Sequence, residues 1–308
     1  MRRLTLKQLQ TVRAVAQSGT IVAAAENLNV SAAALTARIK LLEEDAGVTL
    51  FDRVGGRLRL TDAGREVVNT AARIDLALVE LENVLNAHRG VHAGRVTFGV
   101  VSTAKYFAPR LIAAFSRENP KIEISILVGN RAEIVAALRD YSIDIALMGR
   151  PPLDFAIKSE IFGPHPQVVI APPDHPLAQK CSIDKSELGN ESFIVREQGS
   201  GTRNVYDYFF DGIVVRQPRV RVEIGSNETI KQAVMAGLGL TLISAHTIEA
   251  EVADGRLVIL DIKGLPIIRQ WFVVHRADRV LTAPAHAIWD FVLKEGGRFL
   301  PALSPQKR

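Results

Sequence analysis

Residues 23–53 read AAAENLNVSAAALTARIKLLEEDAGVTLFDR, and the fold turns on this stretch. It begins inside an Ala-rich segment, Ile21 to Leu28, that Thr20 opens; after Asn29-Val30, Ser31 offers a hydroxyl of the kind that caps a helix N-terminus. Beyond it Leu35, Ile39, Leu42 and Ala46 recur at helical spacing and mark a buried face, which puts Ala33, Thr36, Ala37 and Lys40 on the opposite face. Two helices joined by so short a turn predict a helix-turn-helix. Upstream, Thr5 and Gln8 form a capping box ahead of Leu6, Leu9, Val12 and Ala16, and Ser18-Gly19 ends that helix.

Downstream, Gly55-Gly56 separates two short apolar and basic runs, Thr49–Arg53 and Arg57–Thr61, which predicts a hairpin carrying Arg53, Arg57 and Arg59. From Asp62 to about Arg89 the pattern is helical again, with Val67, Ala71, Ile74, Leu78, Leu81 and Leu85 spaced alternately four and three apart. That narrow heptad seam, flanked by charged or polar residues, favours pairing with another helix over packing on its own domain. His88–Gly94 reads as a short hinge with two glycines.

Past the hinge, strand-like runs Arg95–Val101, Ile122–Gly129 and Ile143–Gly149 alternate with helices from about Tyr106 to Glu118 and Asn130 to Tyr141, the pattern of a parallel βαβ sheet. A second set of strands follows at Gln167–Ala171, Phe193–Arg196, Val220–Ile224, Leu240–Ser244 and Leu257–Asp261; Gln270–His275 and a helix from Thr282 to Phe299 return to the first sheet. The expected fold class is an α/β domain of two lobes with a ligand cleft between them, behind an all-α N-terminal domain and a long linker helix. The boundaries fall at residues 1–61, 62–90 and 91–308, with lobe I over about 95–166 and 270–308 and lobe II over about 167–269.

Composition narrows the function. A chain of 308 residues exceeds the usual size of one hydrophobic core, so two or more domains are expected. A single cysteine cannot form an internal disulfide, Met1–Lys7 lacks the apolar stretch of a secretory signal, and no run of about eighteen apolar residues occurs, which predicts a cytoplasmic protein without a membrane span. The net charge of +5 decides nothing unless it is localised. No GxGxxG follows the first strand, and GxxxxGK[ST], GxSxG, HExxH and CxxC are all missing, so an enzyme is not expected. Cys181 sits in a polar stretch, and the seven histidines are scattered, with His165 and His175 each preceding a proline; neither a metal nor a catalytic thiol is predicted.

Polar residues instead gather at the carboxyl ends of strands. Ser102, Thr103 and Lys105 follow the first strand of the second domain, Asn130 and Arg131 the next, and Arg150 the third; Gln198, Ser200, Thr202 and Arg203 in one place and Asn227 in another occupy equivalent junctions in the other lobe. One such junction would be an ordinary helix cap. Five, with cations added, point to an anion-binding cleft, because helix N-termini present unpaired N–H groups and a favourable dipole.

The 23–53 segment together with RLRLTDAG at 57–64 resembles the LysR-type transcriptional regulators, and the resemblance extends over essentially the whole chain. It implies a winged helix-turn-helix that binds double-stranded DNA, a dimerising linker helix, a periplasmic-binding-protein-like effector domain of two lobes and a homotetramer on DNA, with RNA polymerase a candidate partner. The DNA-contacting residues it suggests are Ser31, Ala33, Thr36, Ala37, Arg38, Lys40, Arg53, Arg57 and Arg59. The family commonly has Gln, Pro and a basic residue where this chain has Ala32, Ala33 and Ala37. VSTAKYFAPRLIAAF (101–115), VGNRAEIVAAL (128–138), DIALMGRPP (144–152), REQGSGTR (196–203) and SNETIKQAVMAGLGL (226–240) are similar to the branch that activates the Calvin-cycle RubisCO operons. A sibling branch that regulates inorganic-carbon uptake shares much of this pattern. The effector so implied is a phosphorylated metabolite such as ribulose 1,5-bisphosphate, or NADPH. The competing classes are a small-molecule receptor without DNA function and an enzyme acting on a phosphorylated substrate; the ninety extra helical residues and the absent catalytic motifs weigh against them.

Overall fold

The computed structural model describes residues 4–55, 57–88, 94–211 and 218–302, so Gly56 of the hairpin turn and 89–93 of the expected hinge lie outside the described residues. The chain divides into two compact units, Met1–Gly90 and Val91–Arg308.

The first unit contains α1 (Leu6–Ser18), α2 (Ile21–Asn27), α3 (Ala32–Ala46), the hairpin β1 (Phe51–Val54) and β2 (Arg57–Leu60), and α4 (Asp62–His88). Local chemistry sets the starts: Thr5 and Gln8 close the capping box of α1, Thr20 accepts the Ala23 N–H at 3.3 Å, and Ser31 accepts that of Ala34 at 3.2 Å. Val15, Ala24, Ala25, Leu35 and Ile39 pack into one core, and Val12, Leu42 and Leu50 into a second that Val67 and Val68 of α4 join. Two details depart from the periodic reading. Helix α1 touches α2, α3 and α4, so its buried line is Leu9, Val12 and Val15, while Leu6 is exposed and Ala16 only half-buried. Ala46 is also exposed, because α3 ends there, one turn past Leu42.

The second unit is built on a mixed seven-stranded sheet. Its strands and helices are β3 (Gly94–Val101), α5 (Ala108–Glu118), β4 (Ile122–Gly129), α6 (Arg131–Arg139), β5 (Ile145–Met148), β6 (Ile157–Ala171), β7 (Ser192–Arg196), α7 (Gly201–Phe210), β8 (Arg219–Ile224), α8 (Asn227–Met235), β9 (Thr241–Ser244), α9 (Glu249–Ala253), β10 (Val258–Ile259), β11 (Ile267–Arg276) and α10 (Ala283–Glu295). The sheet order is β10-β6-β11-β5-β3-β4, with β9 also on β6, while β7 and β8 pair in parallel. Strands β6 and β11 run antiparallel from Ile157↔Arg276 to Gln167↔Ile267 and thread both lobes. The strand expected at Gln167–Ala171 starts at Ile157, and Gly163, Pro164 and Pro166 hide its first part from the sequence pattern. Over Ile157–Pro166 the strand pairs with β11 alone, and an edge tolerates prolines that have no N–H to give. Gly149–Pro152 leads through an irregular stretch into β6 and not into a helix, so that junction has no helix N-terminus.

Lobe I closes over Phe98, Phe107, Leu111, Ile134, Leu147, Trp271 and Ile288; lobe II divides its core between the Phe193–Phe210 side and the Ile170–Ile230 side of its strands. No helix among the described residues is long and apolar enough to cross a membrane.

Gly64 on α4 has no room for a side chain: a Cβ there would lie 2.1 Å from the Leu50 carbonyl oxygen. Backbone must therefore move in Gly64→Ala, and we expect the first unit to lose about 1–3 kcal/mol of stability. Far-UV circular dichroism should register an earlier unfolding step, while the fluorescence of Trp271 and Trp289, both in the second unit, keeps its wild-type midpoint. Coincident, unchanged transitions would show that α4 relaxes freely around the methyl.

Candidate functional site

On the first unit, helix α3 buries Leu35, Ile39 and Leu42 and leaves Ser31, Ala33, Thr36, Ala37 and Lys40 exposed, with Arg38 half-buried at the edge of that face. Part of its polarity is already committed. The Ser31 hydroxyl caps the helix, the Thr36 hydroxyl donates to the Ala32 carbonyl at 2.9 Å, and Lys40 sits 3.7 Å from Glu44 in a pair so exposed that it constrains little. The hairpin register sorts the arginines: Arg57 and Arg59 stand opposite Val54 and Asp52 on the outer face, while Arg53 stands opposite Leu58, whose side chain packs toward the core. Arg53, Arg57 and Arg59 are all exposed, and none forms an ion pair among the described residues.

On the second unit a small cleft opens between the lobes. It is lined by Ser102, Thr103, Arg131, Gly149, Arg150, His165, Gln167, Ser200, Gly201, Thr202 and Arg269, with Val101 and Val205 as its apolar contribution. The two crossing strands make its floor. His165 and Gln167 are two apart on β6 and so face the same way, and Arg269 stands directly opposite His165 on β11. Arg131 enters from the start of α6, held by its Nε donating to the Arg150 carbonyl at 3.1 Å and its Nη2 to that of Pro151 at 3.3 Å. Among the described residues no carboxylate lines the space. Burial first, and then Arg150, push the Arg131 guanidinium below its usual pKa; burial, Arg150 and Arg131 do the same to Arg269. Three guanidiniums thus repel one another around a common void, an arrangement that an anion relieves.

The floor also holds buried polar atoms that nothing else satisfies. Both amide atoms of Gln167 and Nδ1 of His165 lack hydrogen-bond partners among the described residues. His165 stacks on Trp271 at 3.8 Å between ring centroids, with its Nε2 2.9 Å from the Ser244 hydroxyl, and the Trp271 indole donates to Nδ1 of His246 at 3.0 Å. Burial holds His165 well below the ordinary histidine pKa and lowers His246 to about 4.

Six of the residues singled out from the sequence meet in the cleft: Ser102, Thr103, Arg131, Arg150, Ser200 and Thr202. Five do not line it. Lys105 lies 3.9 Å from Glu228, and Asn130 is spent on the capping box of α6 with Glu133. Gln198 is exposed. Arg203 binds Asp207 and Glu223, each at 2.9 Å, and although burial opposes it those bonds hold its pKa above the usual value. Asn227 is buried against Arg196 and donates to the Ser102 carbonyl at 3.3 Å. Arg196 itself escaped the sequence reading. Its guanidinium, on a residue only 2% exposed, grips both oxygens of Glu197 and donates to the Ser102 hydroxyl at 3.2 Å, tying lobe II to lobe I. His165, Gln167 and Arg269 also went unread. The usable signal was a charge set inside the apolar run Ile267–Val274.

Two domain families match: residues 6–65 fit the bacterial regulatory helix-turn-helix protein of the lysR family, and residues 89–297 the LysR substrate binding domain. The HTH-type transcriptional regulator CbbR of Rhizobium meliloti (strain 1021) is 51% identical over 304 residues, covering 99% of this chain and 97% of that one. The RuBisCO operon transcriptional regulator of Allochromatium vinosum is 42% identical, over 96% of this chain and 97% of its own. Among solved structures, the regulatory domain of CcmR from Synechocystis PCC6803, in complex with 2-PG, is similar at a TM-score of 0.62 and 39% identity, over 65% of this chain and 96% of that one.

The buried histidines make stability pH-dependent. His165, His246 and His275 all keep folded pKa values below the unfolded 6.5, with burial the largest cause for each, so the unfolded chain takes up protons that the folded chain refuses; the stabilisation is full above about pH 6.5 and is lost as pH falls toward 4. Each contributes a slope of up to about 1.4 kcal/mol per pH unit in that window. Urea unfolding at pH 7.5, 6.0 and 5.0, followed by tryptophan fluorescence, should show this fall, and His246→Gln should flatten it. An unchanged slope in the variant would assign the acid lability to other groups.

Proposed function

This chain belongs to the LysR family of bacterial regulators, and from that premise we propose that it is a DNA-binding transcriptional regulator of carbon-fixation genes, controlled by a phosphorylated metabolite held between its two lobes. The observation that carries the effector half is the convergence of Arg131, Arg150 and Arg269 on a cleft with no carboxylate in its lining. Phosphate and carboxylate are the groups that such a set of guanidiniums binds well. Ser102 and Thr103 from lobe I and Ser200 and Thr202 from lobe II add hydroxyls from both sides, so a ligand touching all of them favours the closed cleft over an open one. Ribulose 1,5-bisphosphate and NADPH are the leading candidates.

On the DNA side, the exposed face of α3 enters the major groove, where Ala33, Thr36 and Ala37 suit thymine methyl groups and Lys40 adds a charge. Arg57 and Arg59 on the outer face of the hairpin reach phosphates or the minor groove. The first residues of the seam, Val67 and Ala71, pack within their own unit, whereas Ile74, Leu78, Leu81 and Leu85 remain exposed. A second copy covers them, which makes the DNA-bound unit a dimer; a tetramer is what the resemblance to the family adds.

Two experiments test this reading. A thermal-shift panel of ribulose 1,5-bisphosphate, phosphoglycolate, phosphoenolpyruvate and NADPH should identify a ligand that adds about 2.7 kcal/mol at a hundred times its Kd. Arg269→Ala and Arg131→Ala should each abolish that gain while leaving DNA binding without ligand nearly intact; a gain that survives in both would move the effector elsewhere. Separately, Leu78→Asp should yield monomers by sedimentation and lose affinity for upstream DNA of a RubisCO operon, since a buried unpaired charge costs several kcal/mol. A dimer of normal affinity would place the seam's partner within its own chain.

A further inference from the structure

Gln167 is the least explained residue in the cleft. It is 1% exposed, and its backbone is fixed from both sides by Ser244 on β9 and Ile267 on β11. Yet neither its amide nitrogen nor its carbonyl oxygen has a partner among the described residues. Burying an amide in that condition is costly unless something arrives to bond it.

We propose that Gln167 selects for a hydroxyl group on the anion, so that the ligand is a phosphorylated hydroxy acid or sugar and not a hydroxyl-free phosphate ester. This rests on the cleft being the effector site. The argument is one of donor and acceptor counting. Arg131, Arg150 and Arg269 carry donors only, and an ionised phosphate or carboxylate carries acceptors only, so those partners satisfy each other. The Gln167 Nε2 joins the donors. Its Oε1 is an acceptor that an ionised phosphate or carboxylate cannot satisfy; with the guanidiniums of the cleft turned to the anion, a ligand hydroxyl gives it a proton and still offers lone pairs to Nε2.

His165 complements this by taking an anionic oxygen. Gly149 keeps a side chain off this ring edge, since a Cβ there would fall 2.8 Å from Nδ1. In the tautomer in which the Ser244 hydroxyl donates to Nε2, 2.9 Å away, the ring's proton sits on Nδ1 and His165 meets the ligand as a donor. Two neighbouring side chains on one strand thus read two different groups: His165 an acceptor, Gln167 a donor. Sites built to bond a substrate hydroxyl reject the analogue lacking it, because the buried group is then left unpaired.

Calorimetry on the full chain with a matched pair tests this. 3-Phosphoglycerate and 3-phosphooxypropanoate have the same length and charge and differ by one hydroxyl. Wild type should prefer the first by at least about tenfold. Gln167→Met should weaken 3-phosphoglycerate by about tenfold, leave 3-phosphooxypropanoate within about threefold, and raise the ligand-free melting temperature, because it removes a buried unpaired amide. Arg269→Ala should weaken both compounds alike. Equal losses in Gln167→Met, no loss at all, or a lowered ligand-free melting temperature would overturn the role of Gln167. If wild type shows no preference but binds inorganic phosphate in an Arg269-dependent way, the cleft reading stands and this one falls. If no phosphate compound binds, the cleft reading falls and takes this one with it.

Discussion

The second unit depends on the pairing of β6 with β11. These two strands are the crossings between lobes, and their register sets Arg269 against His165 and Ile267 against Gln167. Every other polar cleft residue reaches this floor from the end of a neighbouring element: Ser102 and Thr103 after β3, Arg131 at the start of α6, Arg150 after β5, and Ser200 and Thr202 at the start of α7. A one-residue slip in that pairing would turn Arg269 and the His165–Gln167 pair to opposite faces of the sheet. Packing guards against it, since Trp271 is fully buried, stacks on His165 and meets Phe107 edge-on at 5.1 Å. The site therefore sits on rigid strands, with its variable contacts delivered by loops.

Charge bookkeeping separates binding cations from structural ones. Arg203 and Lys105 occupy strand-to-helix junctions as Arg131 does, but acidic neighbours neutralise them: Asp207 and Glu223 for Arg203, Glu228 for Lys105. Lys231 is likewise absorbed, between Glu228 and Glu251 at 3.0 and 2.9 Å. Arg131, Arg150 and Arg269 have no such acid among the described residues that line the cleft; Asp154 partly offsets the effect of burial and Arg150 on Arg131, and the repulsion left over is what the proposed anion would relieve. Loss of one of them changes the fit to an anion; loss of Arg203 breaks a brace on the Arg196 carbonyl and leaves two carboxylates without their partner.

How much of this was legible follows from the range of the interactions involved. The helix-turn-helix is local: Thr5, Thr20 and Ser31 cap helices within a few residues, and Leu35, Ile39 and Leu42 repeat on one face, so the sequence displays it directly. The junction residues of the cleft were half legible, because strand ends can be read locally but ion pairing cannot; nothing near Arg203 in the chain announces Glu223, which arrives from β8. The floor was illegible. His165 and Gln167 lie in a stretch broken by prolines, and Arg269 becomes their neighbour only through a pairing about a hundred residues apart in sequence.

The linker helix shows the same distinction in another form. A heptad seam states that one face is apolar, without stating what covers it. Here the answer changes along the helix: Val67 and Val68 join the Val12–Leu42–Leu50 core and Ala71 is buried, while Ile74, Leu78, Leu81 and Leu85 stand between 36% and 53% exposed. Apolar side chains spaced as one continuous stripe are rarely left to water over several turns. The buried end fixes the helix to its own unit, and in the proposed dimer the exposed end gives a second chain its purchase. A substitution near Val67 therefore acts on folding, and one near Leu81 on assembly, although both belong to one repeat.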